Sequence, residues 1–408
     1  MEDELVGEIG NYVTGDRFWG REDELELLQN YLVEGANVSI LAQRRIGKTS
    51  LMHETAKRLP DEFIPLHIDL QACNTAADLV KKVAVATKPY DKLWRKILSP
   101  FKNMLASTKD NLDSISVDSF KIKFKEGVSE DNWQDKGTQV LEILADHEKR
   151  VVLFIDELPI MISRMLDESP DRGKNEVHIF LSWLREKSQK YKGKISMVFA
   201  GSIGLEPVLN RAKISADMNH LTTFRLEPWR DSVALSCLHA LAAHRQLNLP
   251  DESARRMIEL LGCNIPYHVQ LFFANVREHI LLTKPSALKP GVINEIFQEK
   301  MISSRGHAEL VHMEERLDKE LDKAELQLAK SILTQAAVIG FVESGGMCKL
   351  FDRHAFSKED RVNILPRLCE ILVSDGYLKK NEAGKYVFVS NLLHKWWENK
   401  YKDFFETV

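Results

Sequence analysis

The chain has 408 residues, of which 44% are hydrophobic and 28% charged, with a formal net charge of −4. A length of this order makes two or three domains the expectation, and the charge provides no global basic field for nucleic acid. No run of about 18 apolar residues is present to span a membrane. The five scattered cysteines (Cys73, Cys237, Cys263, Cys348, Cys369) include no C-x-x-C pair and argue against a disulfide framework or a thiolate zinc site. Together with an acidic opening, MEDELVGEIG, this is the composition expected of a globular cytoplasmic protein.

In chain order, TGDRFWG at 14–20 reads as a polar turn ending in two aromatics. Leu25, Leu28, Tyr31 and Leu32 then follow helical spacing. This helix places Phe18, Trp19, Gly20 and Arg21 beside the next motif, either as core packing and helix cap or facing a base. Val38, Ile40 and Leu41 form a short strand, and Gly47-Lys48-Thr49-Ser50 matches the end of the phosphate-binding loop G-x-x-x-x-G-K-[ST], with Ala42 at the first glycine. The chemistry explains the spacing. Successive backbone N–H groups from Gln43, Arg44, Arg45, Ile46 and Gly47 to Ser50 make a concave anion site, and the dipole of the following helix adds positive potential. Lys48 would reach the β- and γ-phosphates of ATP, and Thr49 would hold Mg²⁺.

Phe63 to Leu70 reads as a second strand and Asp78 to Leu98 as a helix. Between 112 and 126, Phe120, Ile122 and Phe124 alternate with Lys121, Lys123 and Lys125, which predicts half of an inserted β-hairpin. Its lysine face is better read as solvated than as a phosphate-backbone contact. Trp133 to His147 is helical. Val151 to Ile155 is an unbroken apolar run, suited to a strand buried on both faces, and Asp156 and Glu157 sit at its carboxyl end. Ligands of open α/β sheets bind at that end. Asp156 would hold Mg²⁺ through water, and Glu157 would polarise the attacking water as general base.

A helix at 179–190 and a buried strand at Ile195 to Ala200 follow, then Gly201 and Ser202. Ser202 is placed to sense a γ-phosphate, with an ordinary turn serine equally open. Arg211 precedes the strand 222–226; it is read first as a surface arginine and second as one reaching a neighbouring subunit's phosphate. Strands and helices thus alternate over roughly 38–226, which predicts a three-layer parallel α/β sheet.

From Glu227 the period becomes helical. Segments 231–247, 251–261 and 267–282 predict a helical lid, interrupted by GCNIPY at Gly262 to Tyr267, where Pro266 fixes a turn. KPSALKP at 284–290 reads as a linker, followed by one long helix at 313–333. Helices at 325–338, 348–354 and 364–375 and a lysine-bearing hairpin at 376–389 predict a winged helix-turn-helix, closed by a helix at 392–405. Pro366 suits the third of these only if it starts near Ile364 with Asn363 as cap. The expected division is an ATPase domain at 1–226, a lid at 227–290 and linker helices with the winged helix at 291–408.

Five stretches together resemble the archaeal-type P-loop ATPases of the STAND group, relatives of AAA+ and archaeal replication-initiator ATPases. They are Gly20-Arg21-Glu22, Arg44-Arg45-Ile46-Gly47-Lys48-Thr49-Ser50, Phe154-Ile155-Asp156-Glu157-Leu158-Pro159, Phe199-Ala200-Gly201-Ser202 and the turn Gly262 to Tyr267. The resemblance implies that Gly20, Arg21, Pro266 and Tyr267 border the adenine and ribose.

The favoured function is an ATP-binding and -hydrolysing switch that controls a protein partner or its own assembly. A DNA-binding protein using the winged helix, initiator- or transposition-regulator-like, is the alternative. From 324 onward twelve Lys and Arg stand against eleven Asp and Glu, and the 364–372 helix is mostly apolar, so a protein-facing winged helix is preferred. A nucleotide scaffold without hydrolysis is disfavoured by the presence of both Asp156 and Glu157.

Overall fold

The computed structural model describes residues 11–98, 128–168, 170–201, 205, 208–209, 218–285, 287–303, 308–354, 356–357 and 359–405. By packing they fall into two units: Arg21–Arg44 with Lys48–Leu226, and Met1–Gly20 with Arg45–Gly47 and Glu227–Val408. The expected 112–126 hairpin lies outside the described residues.

The first of these units is built on a five-stranded parallel sheet. Its strands are β1 (Val38–Leu41), β2 (Phe63–Asp69), β3 (Arg150–Asp156), β4 (Ile195–Phe199) and β5 (Thr222–Arg225), in the order β2-β3-β4-β1-β5. Val151 to Ile155 of β3 and all of β4 are buried, because each has a neighbour on both edges and helices over both faces. One face carries Leu66, Ile68, Leu153, Ile155 and Met197, packed with side chains of α3 (Ala76–Ala86), α5 (Trp133–Ala145), α6 (Leu158–Glu168) and α7 (Pro170–Lys190). The alternate residues of β2 and β3, His67 and Phe154 among them, point to the other face. There α2 (Lys48–Arg58) lays His53 on His67, and Tyr31 of α1 (Glu22–Val33) meets the edge of Phe224. Arg150 closes α1 by donating to the carbonyls of Val33 at 2.7 Å and Leu32 at 2.8 Å, which places a cation at the negative end of a helix.

The helix expected at 78–98 is instead two, α3 and α4 (Asp91–Leu98). Thr75 and Asp78 form a capping box that starts α3. Pro89, which has no N–H to continue the ladder, sits in the break.

In the second unit, α8 (Asp231–His244), α9 (Asp251–Leu261), α10 (Pro266–Thr283) and α11 (Pro290–Ile296) run on through a π-helical turn, Phe297–Ile302. Then come α12 (Ala308–Glu320), α13 (Lys323–Ile339), α14 (Ser344–Arg353) and α15 (Arg361–Ser374), an antiparallel pair β6 (Leu378–Lys380) and β7 (Tyr386–Phe388), and α16 (Asn391–Tyr401). A single core runs from Trp229 through Phe272 and Phe297 to Trp397. The long helix expected at 313–333 is divided. Asp322 accepts from the N–H groups of Ala324 and Glu325, both at 2.9 Å, and so ends α12 and caps α13. Pro366 lies inside α15, which starts at Arg361 rather than near Ile364. The carbonyl it leaves without an intrahelical donor is that of Val362, a residue 76% exposed, so water can serve it.

The end of α9 docks on the start of α16. Ser390 Oγ donates to the Leu261 carbonyl at 3.3 Å and Asn391 Nδ2 to the Leu260 carbonyl at 2.7 Å. Ser390 Oγ also accepts from the Leu393 N–H at 3.5 Å, so one hydroxyl caps two helix ends. Between them Gly262 takes φ +66°, and a Cβ built there would lie 2.7 Å from Asn391 Cβ and 3.1 Å from its backbone N. Gly262→Ala is therefore expected to destabilise the protein by about 2 kcal/mol through left-handed strain and displacement of Asn391, read as a lower urea midpoint at unchanged slope. Elsewhere Glu314 accepts from Lys400, from the Tyr401 hydroxyl and from Lys330 at 3.1 Å, tying α12 to α13 and α16. Burial would raise its carboxyl pKa, but these donors outweigh it and hold the group below the usual range, while the Tyr401 hydroxyl is pushed up.

All five cysteines are free thiols. Among the described residues no helix is long and apolar enough to cross a membrane.

Candidate nucleotide site

The phosphate-loop motif spans the turn from β1 to α2. Arg45 takes φ +63° and Gly47 φ +102°. Nothing lies within 4 Å of a Cβ added at Gly47, so conformation rather than space requires the glycine. α2 begins at Lys48, and the N–H groups of its first turn have no carbonyl acceptor within the helix. Lys48 is 7% exposed. Its ammonium donates to the carbonyls of Ala42 at 3.1 Å and Gln43 at 2.8 Å, which holds the charge against the loop. That geometry uses the backbone at position 42, where alanine serves as well as glycine.

The next residue joins the two motifs. Thr49 Oγ1 donates to Asp156 Oδ2 at 2.7 Å, across 107 positions of sequence. The second carboxylate oxygen, Oδ1, accepts from the backbone N–H of Glu157 at 3.0 Å. Asp156 is delivered by β3 and pairs in register with Asp69 of β2. Glu157 follows at φ +60°, an uncommon conformation for a residue with a side chain, and its carbonyl accepts from Ile160 at 3.2 Å and Met161 at 3.3 Å to start α6. A hydroxyl and a carboxylate in contact, beside a fixed ammonium, are hard oxygen donors of the kind Mg²⁺ takes when phosphate and water complete its shell. Among the described residues no group of three or more His, Cys, Asp or Glu side chains forms a self-sufficient metal cage.

Lys48 and Thr49 at the start of α2 thus stand with Asp156 and Glu157 at the carboxyl end of β3, joined by the Thr49–Asp156 hydrogen bond. Gln43 contributes a carbonyl to Lys48, and Ser50 lies in the first turn of α2. Arg21 is 5% exposed and pairs with Glu24 at 2.7 Å at the start of α1. In the other unit, Gly20 takes φ +64° against Val233 and Trp229, where a Cβ would lie 2.3 Å from Val233 Cγ1. Arg45 lies over the ring of Tyr267, 4.8 Å from its centroid, Pro266 is the first residue of α10, and Ile46 is fully buried. Arg44 is half-buried at the loop. Ser202 and Arg211 lie outside the described residues.

One group escaped the sequence reading. His53 stacks on His67 at 3.9 Å and 14° between ring planes, and His67 stacks on Phe154 at 5.1 Å and 18°. His53 follows Thr49 by four residues, a helical spacing that could have drawn attention to it. Burial lowers the His53 pKa against the pull of Asp156. The His67 ring keeps an exposed edge but is stacked between His53 and Phe154, and the resulting desolvation, with the adjacent His53, pushes its pKa down to about 4. Since His67 binds protons more weakly folded than unfolded, its neutral form carries the stability, which is whole above about 6.5 and declines as pH falls from there toward 4. Thermal unfolding of His67→Phe is expected to show a flatter acid limb over that window than the parent.

No family model matches the chain, and no curated protein matches it. Solved structures do. A Walker-type ATPase of Pyrococcus abyssi is 14% identical with a TM-score of 0.61, over 98% of this chain and 100% of that one. The ORC2 protein of Aeropyrum pernix, solved as ADPNP-ADP complexes, is 12% identical with a TM-score of 0.54, over 98% of each chain. The likeness is one of fold: the five-stranded parallel sheet in the order β2-β3-β4-β1-β5, with helices over both faces, matches a P-loop NTPase fold.

Proposed function

We propose that the protein is an ATP-binding and -hydrolysing molecular switch of the STAND and AAA+ kind, which controls a protein partner or its own assembly. The observation that carries this reading is the 2.7 Å contact between Thr49 and Asp156 beside the seated ammonium of Lys48. Lys48 would bind the β- and γ-phosphates, and the loop N–H groups would cradle them. Thr49 and, through water, Asp156 would hold Mg²⁺. When bound, that cation neutralises charge on the transferring phosphoryl group. Glu157 would orient and polarise the attacking water. Gly20, Arg21, Pro266 and Tyr267 are assigned to the adenine and ribose, Ser202 to the γ-phosphate, and Arg211 to a neighbouring subunit's nucleotide. The C-terminal elements from α13 to α16 are read as a winged helix.

The alternative is DNA binding through that winged helix. Against it, Arg367 of α15 is paired with Glu325, and Lys385 beside β7 is paired with Glu343 at 2.7 Å. The basic side chains that would meet phosphates are thus partly neutralised within the protein. A mobility shift that is absent, or insensitive to salt, removes the alternative.

The test of the main reading is titration with fluorescent ATP, with and without Mg²⁺, together with phosphate release and solution size in the same samples. Saturable binding, slow release and a nucleotide-dependent change in size or in co-purified protein are expected. Absence of ATP binding at about 1 mM, the upper end of ordinary substrate affinities, overturns it.

A further inference from the structure

We propose that His53, His67 and Phe154 form a ring column that positions Thr49 against Asp156 and so sets the Mg²⁺ requirement of nucleotide binding. The inference rests on the nucleotide reading above but turns on His53 and His67, which lie outside the recognised motifs.

The geometry comes from three periodicities. Thr49 and His53 are four apart on α2 and share a face of the helix. Phe154 and Asp156 are two apart on β3 and share a face of the sheet. His67 and Asp69 do the same on β2, and the register pairs His67 with Phe154 and Asp69 with Asp156. One step down the strands from the Thr49–Asp156 contact, the three rings therefore lie side by side, His53 on His67 at 3.9 Å and His67 on Phe154 at 5.1 Å. Phe154 is 1% exposed and fixed in the core, whereas His67 stands on the edge strand with an exposed edge. The column thus links the first turns of α2 to a buried ring on β3, directly beneath the hydroxyl and carboxylate that would share the cation. Precise sites need this kind of support, because their ligands must be held within about 0.5 Å. Stacking of flat rings supplies it, and hydrogen bonding by the imidazoles is not required.

The test compares His53→Ala, His53→Phe and His67→Ala with the parent in fluorescent-ATP titrations, first in chelator and then over a Mg²⁺ series. Affinity in chelator is expected to be unchanged in all four proteins. The Mg²⁺ concentration at half-effect is expected to rise about three- to tenfold in both alanine variants, the range for loss of one or two ring contacts. It is expected to return to the parent value in His53→Phe, which keeps a flat ring at that position. Alanine variants with the parent's Mg²⁺ dependence overturn the proposal, and so does a phenylalanine variant as impaired as alanine. If His53→Ala does not fold, His67→Ala decides alone, since its side chain stands at the exposed sheet edge. Failure of the nucleotide reading is distinct, because the parent would then bind no ATP in either buffer.

Discussion

A Glu157→Gln variant is expected to bind ATP as the parent does and to release phosphate about 10²–10³ times more slowly. The amide is isosteric with the carboxylate, so the φ +60° backbone and the N–H donated to Asp156 Oδ1 should both survive. Only the negative acceptor for a water proton is lost. The measurement is single-turnover hydrolysis with enzyme in excess, beside an equilibrium titration of the same preparation. Release at the parent rate would show that another group orients the water. Loss of binding would show that Glu157 shapes the site and does not serve as its base.

Lys48→Ala is expected to act one step earlier and weaken ATP binding by about 100-fold or more. The magnitude is that of removing a charge-assisted donor aimed at a phosphate in a partly desolvated site. The nucleotide-free protein should lose little, on the order of 1 kcal/mol, because the carbonyls of Ala42 and Gln43 give up one donor each at a half-buried loop. A thermal melt without nucleotide and a titration with ATP separate the two effects. Arginine at this position is not a conservative control, since a planar fork cannot seat between the two carbonyls as an ammonium does.

How much of this was legible beforehand varies with the kind of interaction. The strand at Arg150–Asp156 was readable because burial on both faces leaves a continuous apolar run, whereas those at Val38–Leu41 and Phe63–Asp69, which alternate in burial, were readable from short runs of β-favouring apolar residues. The Thr49–Asp156 contact was readable because both motifs carry their own chemistry and the topology has one way to join them. Helix limits were less so. Pro89 and Asp322 each end a helix by a local backbone effect that hydrophobic spacing does not register, and Pro366 is tolerated only because of where the orphaned carbonyl falls. The stacked histidines were invisible for a different reason. Their partnership depends on the register of β2 against β3 and on the face α2 presents, neither of which is local in sequence. The capping of α9 by Ser390 and Asn391 is of the same class, since it joins residues 129 and 131 positions apart.

That last contact also bears on how the chain acquires its structure. The helices after Glu227 share one core with Trp396 and Trp397 of α16, and the carbonyls of Leu260 and Leu261 at the buried end of α9 accept from Asn391 and Ser390. During vectorial synthesis α8, α9 and α10 must therefore wait, with Phe272 and Leu261 unshielded, until a segment some 130 residues later has emerged. The parallel sheet, whose strands end at Arg225, faces no such delay. Ribosome-bound chains halted shortly before α16 should accordingly show a protease-resistant sheet unit joined to helices still open to cleavage.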